Sequence, residues 1–314
     1  MRARKKRSNL ATFAVLFSLL DWPVRRLIIN ADDFGLTAGV NRAIAEAHDG
    51  GVVSSATLMA NGPAFDDAVR LARSRPRLGV GCHILLVDGT PLLQSESHAL
   101  LDPDSRKERT PRFREGIGKF AALALLGRLN SDEIEAEATA QIHRLQSAGI
   151  AVTHLDSHKH THMFPQVFRA LLRAAKGCGV KAIRNPFERV RASQLAARPG
   201  LWRRWAEVGI LGSLAKQFRE AVRQAGMVTP DGTFAIVATG ALDERQLRLL
   251  VERLPDGAWE LVCHPGYNDA DLQHIHTRLR ESREEELRVL TSQSTRHLLA
   301  ARGVEVISFS DLAR

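Results

Sequence analysis

The 314-residue sequence predicts an α/β fold, a distorted (β/α) barrel, on three observations. Short β-like runs alternate with helix-like segments about eight times, which is the pattern of βα units. No internal repeat or low-complexity linker interrupts the alternation. Acidic, imidazole and guanidinium side chains collect where the β-like runs end, and that is the rim on which such barrels carry their sites. Hydrophobic residues at 44% and charged residues at 25% match a globular chain and exclude a disordered or fibrous one.

The β-like runs are residues 27–31, 52–59, 78–84, 151–156, 180–184, 234–238, 259–263 and 304–309. Helical patterns occupy residues 41–49 and 65–74 between them. Ser131 reads as the N-cap of a third helix, with Glu133, Glu135 and Glu137 following it and apolar positions spaced through Leu145. The longest pattern, 281–301, reads as a single helix. The expected division is an N-terminal extension over 1–26 and one barrel over 27–314, with amphipathic inserts near 113–130 and 200–220.

The extension places Arg2, Arg4, Lys5, Lys6 and Arg7 ahead of an apolar run of eleven positions from Leu10 to Leu20. That order resembles the start of a secretory signal, but Asp21, Trp22 and Pro23 follow in place of a small-residue cleavage site. The run is also shorter than the roughly 20 residues a membrane-spanning helix needs. An interfacial anchor, an uncleaved signal and an extension irrelevant to the fold remain open. The formal charge of +9 favours an anionic partner, though only eight of the 44 basic residues are lysine, an arginine bias that genome composition alone can produce. Three cysteines exclude a disulfide scaffold and suit a reducing compartment.

Five run ends carry the chemistry. The first ends in Asn30, Asp32 and Asp33; the third in His83; the fourth in Asp156 and His158, with His160 and His162 close behind; the fifth in Arg184; the seventh in His264. Adjacent strand residues point to opposite sides, so Asp32 and Asp33 are expected to take different roles. Four of the twelve histidines fall within nine residues, 154–162. Residues 158, 160 and 162 share a face in an extended segment, and 158 and 162 do so in a helix. Either geometry presents imidazoles to one centre, and imidazole with carboxylate suits a divalent metal such as Zn, Mn, Co, Fe or Ni. Cys82 and Cys263 each precede a site histidine, so strand alternation turns them away as packing residues. Ser157 lacks a Gly-x-Ser-x-Gly elbow, which argues against serine hydrolysis.

These residues resemble the YdjC-like family. The resemblance lies in residues 30–36, 81–83, 154–165 and 263–265, in that order, and extends from about residue 27 to the C-terminus. The family consists of metal-dependent carbohydrate deacetylases, including enzymes acting on chitooligosaccharides, on a distorted (β/α) barrel shared with polysaccharide deacetylases. The resemblance implies Asp33, His83 and His158 as metal ligands, Asp32 as general base and His264 as general acid. It places His160, His162, Arg184 and Asp156 on the rim around substrate. One divalent ion is implied, Mg first, with Zn, Mn or Co as alternatives. Lys159 departs from the family pattern, which often has histidine there.

Residues 85–91 and the basic, Trp-containing stretch from Gly200 to Phe218 are similar to a hopanoid-biosynthesis-associated subgroup. That similarity implies removal of acetyl from N-acetylglucosamine on a hopanoid lipid, by a cytoplasmic protein peripheral to the inner face of an anionic membrane. The apolar stretch 117–129 could then border a lipid-accepting groove. A soluble chitooligosaccharide deacetylase, a non-catalytic membrane-binding module and a metal phosphoesterase are the competing readings; a nucleic-acid partner is not expected.

Overall fold

The computed structural model describes residues 24–93, 99–188, 214–236 and 239–314. Strand β1 (Arg25–Phe34) is followed by α1 (Ala38–Asp49), β2 (Ser55–Leu58), α2 (Phe65–Arg73) and β3 (Gly79–Ile84). Next come α3 (Ile117–Leu125), α4 (Ser131–Ser147), β4 (His154–Ser157), α5 (Pro165–Gly177) and β5 (Ala182–Ile183). The chain continues through α6 (Ala215–Gln224), β6 (Gly232–Phe234), α7 (Glu244–Glu252), β7 (Gly257–Cys263) and α8 (Ala270–Gln273). It ends in α9 (Glu281–Thr291), α10 (Gln293–Ala301), β8 (Val304–Ile307) and α11 (Phe309–Leu312).

All strand pairs are parallel, and the path runs β5-β4-β3-β2-β1-β7-β6. Its two ends are joined by isolated parallel bridges, Ala182 to Val228 and Glu188 to Thr233. The barrel is therefore distorted on this side. A second distortion concerns β8. Residues Arg25 to Ile28 of β1 pair with β7 on one edge and with β8 on the other, and beyond them Asn30 to Phe34 pair with β2. The eighth strand thus lies end to end with β2, where a regular barrel would put it between the seventh and the first.

Alternation along the strands sorts the side chains into two environments. Leu27, Ile29 and Ala31, with Cys82, Leu155, Ile183, Trp259, Leu261 and Cys263, join the large core between wall and helices. Ile28, Ala182, Ala258, Ile307 and Phe309 form a small apolar cluster that closes the barrel floor. Further along the strands, positions of the same parity are polar apart from Gly81 and Val262, and the polar ones build the site above that floor.

The helices follow local signals. Thr37 caps α1 by accepting the Val40 N–H, and Val40, Ala43, Ile44 and Ala47 form its buried stripe. The cap of α4 is Asn130, one residue ahead of the expected Ser131, because the Asn130 side chain accepts from the N–H groups of Asp132 and Glu133. The expected helix over 281–301 is two helices. Ser292 adopts an extended ψ of 144° and caps α10 through the Thr295 N–H, which breaks the run.

The extension 1–23 and residues 200–213 of the basic insert lie outside the described residues. The rest of that insert enters α6, and Phe218 turns inward, with ring centroids 5.4 Å from Phe168 and 5.7 Å from Phe187. Phe218 is therefore a packing residue and not part of a membrane-facing stripe. In α3 only Phe120 is buried, while Leu125 and the following Leu126 are 71% and 64% exposed. Among the described residues no helix is long and apolar enough to cross a membrane.

Candidate active site

Strand parity sends Asn30 and Asp32 of β1, Thr57 of β2, His83 of β3, His154 and Asp156 of β4, and Glu260 of β7 into the barrel, all buried. Arg184 and His264, just past β5 and β7, keep the same parity. Asp33 should by this rule face outward with Ala31. It does not, because Asp33 has a left-handed φ of 66° and the β1–β2 register slips between Ala31 and Phe34. This bulge re-aims the second carboxylate, so the two neighbours enter one site after all.

Asp32 is saturated. Its Oδ1 accepts from Arg184 Nη2 at 2.7 Å, Asn30 Nδ2 at 3.0 Å and Thr57 Oγ1 at 3.2 Å, and its Oδ2 accepts from Arg184 Nη1 at 2.9 Å. Burial pushes its pKa up, but the Arg184 guanidinium outweighs burial and holds it well below the usual carboxylate range. Asp33 is served differently. Arg283 Nη2 donates to Oδ2 at 2.5 Å, and Oδ1 faces His83 Nε2 at 3.6 Å and His158 Nδ1 at 3.5 Å. Here too burial opposes ionisation, and Arg283, His158 and His264 together hold the carboxyl well below the usual range.

His83 is oriented by its far nitrogen, with Nδ1 2.8 Å from Asp156 Oδ1. Its Nε2 lies 3.4 Å from His158 Nδ1. Burial lowers its pKa, but Asp156, Asp32 and Asp33 together bring it up to about 9. His158 turns its own far nitrogen toward Asp88 Oδ2 at 3.8 Å, and Asp88 in turn is ion-paired with Lys159. The segment after His158 is neither extended nor α-helical. It is a 3-10 turn kinked by left-handed Lys159 and His160, so His158, His160 and His162 do not share a face. His158 goes to Asp33, and His162 Nδ1 goes to Ser157 Oγ at 2.6 Å. His160 Nδ1, His162 Nε2 and His264 Nδ1 are enclosed without a partner among the described residues.

Arg184 and Asp156, expected to line the rim for substrate, are completely buried. Arg184 pairs with Asp156 at 2.6 Å, Asp32 at 2.7 Å and Glu260 at 2.8 Å. Asp156 is held between Arg184 and His83. Both spend their polar atoms on these neighbours and keep none for a substrate. His154 lies beneath them, bonded to Asn30 Oδ1 at 3.1 Å and stacked on Phe309 at 3.7 Å. A Cβ on Gly81 would sit 2.5 Å from the His154 ring, so that position admits only glycine. His264 donates its backbone N–H to Glu286 at 2.5 Å and places Nε2 3.9 Å from Asp32 Oδ2. Burial, only partly countered by Asp32, lowers its pKa to about 4, which leaves the imidazole neutral at pH 7.

The donor atoms of Asp33, His83 and His158 form a near-equilateral triangle of 3.6, 3.5 and 3.4 Å sides. Three donors of a four-coordinate ion bound at about 2.1 Å are separated by about this much. Three buried or half-buried side chains facing one another, with Asp33 anchored from behind by Arg283 and His83 by Asp156, fit a divalent cation. Asp32, His83 and Asp156 also approach one another, but Arg184 already occupies both carboxylates.

Arg283, Glu286, Glu260 and Asp88 were not singled out from the sequence. Arg283 and Glu286 share an inward stripe with Leu287 and Leu290, at spacings of three, four and seven, and charges on such a stripe are the available signal. Glu260 likewise interrupts the apolar run of β7.

Fold and site together define a distorted (β/α)-barrel protein with a buried Asp–His–His centre beside a second, arginine-clamped aspartate. A family model described as YdjC-like protein matches residues 26–301. The chain belongs to the YdjC-like family. A carbohydrate deacetylase from Geobacillus stearothermophilus is 34% identical over 288 residues, covering 91% of this chain and 98% of the relative. One from Brevibacillus brevis is 31% identical over 288 residues, at 91% and 99% coverage. A crystal structure from Enterococcus faecalis, described as a cellobiose-phosphate cleavage protein, superposes with a TM-score of 0.72 at 26% identity. It covers 93% of this chain and 100% of its own.

Proposed function

We propose that the protein hydrolyses the acetyl amide of an N-acetylated sugar of the N-acetylglucosamine type with the help of one divalent cation. The observation that carries this reading is the Asp33–His83–His158 triangle set beside the Asp32–His264 pair. The carbohydrate deacetylases among its relatives support the reaction class. A cation held by Asp33, His83 and His158 would polarise the amide carbonyl and acidify a water beside it. Mg is first by resemblance, and the two imidazole donors also suit Zn, Mn or Co.

The chain's own groups then move the protons. Asp32, kept ionised by Arg184, accepts a proton from the attacking water. Its low basicity is tolerable only if that water is acidified, which is why the second site must work beside the first. His264 is neutral at rest and 3.9 Å from Asp32, so it takes up the proton that Asp32 has removed from the water and passes it to the departing amine nitrogen. The products are acetate and the free amine. His160 and His162 each keep a ring nitrogen without a partner among the described residues, which supports their binding sugar hydroxyls.

The finer reading places the sugar on a hopanoid-type glycolipid. Its supports are the subgroup similarity at residues 85–91 and the exposed Leu125 and Leu126, whose helix α3 contacts the His158–Met163 turn. In that reading 27–314 is the catalytic unit, and the preceding segment helps hold it at an anionic membrane. The test is acetate release from an N-acetylated chitooligosaccharide and from a glycolipid carrying the same sugar, with and without chelator. Turnover should need metal, and D32N or H264A should abolish it, by about 100-fold or more, with bound metal near wild type. Normal turnover in either variant, or in chelator, overturns the assignment.

A further inference from the structure

Helix α9 brings two buried charged residues to the site from the far end of the sequence, and they hold different partners. Glu286 takes the backbone N–H of His264. Arg283, only 1% exposed, donates Nε to the Leu279 carbonyl at 3.2 Å and Nη2 to Asp33 Oδ2 at 2.5 Å. Its remaining terminal nitrogen, Nη1, is buried and has no partner among the described residues.

That loose end is unusual. A buried cationic N–H without an acceptor is costly, and Arg184, the other buried arginine here, spends its fork on three carboxylates. The guanidinium is a rigid planar fork, so Nη1 lies only about 2.3 Å from the nitrogen that grips Asp33. A donor so placed stays beside the Asp33 carboxylate, enclosed and without an acceptor among the described residues. The neighbouring site groups do not use it: both Asp32 oxygens are paired with Arg184, and Asp33 keeps only Oδ1, which faces the histidines.

We propose that Arg283 is a further residue of the active site, with Nη2 restricting Asp33 to a single ligating oxygen and Nη1 donating to an uncharged oxygen of the bound sugar substrate. The first role concerns Asp33 and the cation alone. The second rests on reading the site as an amide hydrolase. The oxygen is a sugar hydroxyl or the acyl carbonyl, and both are neutral acceptors that a fixed guanidinium N–H recognises.

The experiment uses R283K and R283Q in the full chain, with thermal melts to establish folding. Zn2+ alone is titrated calorimetrically into metal-stripped protein, and steady-state acetate release is measured on an N-acetylated chitooligosaccharide. R283Q should weaken Zn2+ binding by about 10- to 100-fold, the usual effect of losing a group that orients a ligand. R283K keeps one cationic donor for Asp33, so it should bind Zn2+ within a few-fold of wild type yet lose about tenfold or more in kcat/KM. A raised KM assigns Nη1 to a sugar hydroxyl, and a lowered kcat at constant KM assigns it to the acyl oxygen. Wild-type Zn2+ affinity in R283Q overturns the role toward Asp33, and wild-type kcat/KM in R283K overturns the role toward substrate. If R283Q does not fold, a large loss of Zn2+ affinity in R283K overturns the first role instead and its retention supports it. Failure of the wild type itself to release acetate would sink the hydrolase reading while the Zn2+ titrations still judge Asp33.

Discussion

From β1 round to β4 the wall is a continuous parallel ladder, whereas from β5 to β6 it closes through two isolated bridges. The charges follow the same division. On the continuous side Asp33, His83 and His158 turn donor atoms toward one another. On the broken side Arg184 reaches from the end of β5 to carboxylates on β1, β4 and β7. The comparison teaches that backbone ladders leave side chains free for a ligand, and that where the ladder fails a buried ion network holds the barrel mouth together. That network also sets the basicity of Asp32, so one arginine serves both shape and chemistry.

The largest expected effect comes from breaking the ionic side. R184M would leave Asp32, Asp156 and Glu260 buried without their cation, and Glu260, raised to about 7 by burial even with Arg184 present, would gain a proton. Loss of about 3–5 kcal/mol of stability, or failure to fold, is expected in urea denaturation. A melt equal to wild type would show that the two bridges suffice. On the ligand side, His83 has its pKa raised to about 9 and so carries a proton at pH 7 in the metal-free protein. Metal binding must expel that proton. Affinity should therefore rise with pH, by about tenfold per unit below about pH 9, and calorimetry in buffers of different ionisation heat should show close to one proton released. No release would mean that His83 is neutral or not a ligand. The smallest effect belongs to the L125S/L126S double variant. Acetate release from a soluble chitooligosaccharide should be unchanged, while release from a glycolipid in vesicles falls by about threefold to tenfold. Equal loss on both substrates would remove α3 from any lipid role.

The legible part of this molecule was what strand periodicity can carry. Runs of alternating parity ending in Asp32, His83, Asp156, Arg184 and His264 revealed both the wall and the rim, because residue type and period point the same way. The cysteines were legible for the same reason: Cys82 and Cys263 lie on the outward parity, in the core. Strand parity alone turns Asp33 away from Asp32, because a bulge is a backbone event that adjacent residue types do not announce; the resemblance set it with His83 and His158, where it lies. The histidine cluster misled because Lys159 and His160 take left-handed conformations that neither β nor α periodicity allows for. Arg283 and Glu286 were hidden by their neighbours, since a helix rich in Arg and Glu resembles a solvated face until its inward stripe is traced. The helix break at Ser292 was equally silent in a run that stays polar and helix-compatible on both sides.

The stacking of Phe309 on His154 has a consequence in time. The ring from α11 lies beneath the site, and the Phe309 N–H is bonded to Ser55 Oγ, 254 positions earlier. A nascent chain that has emerged only through residue 280 holds Asp33, His83 and His158 but lacks Arg283, Glu286 and Phe309. Such a chain can begin its strand ladder, yet it has neither the lock on Asp33 nor the floor under His154. The site is therefore complete only once the last elements of the chain have been made.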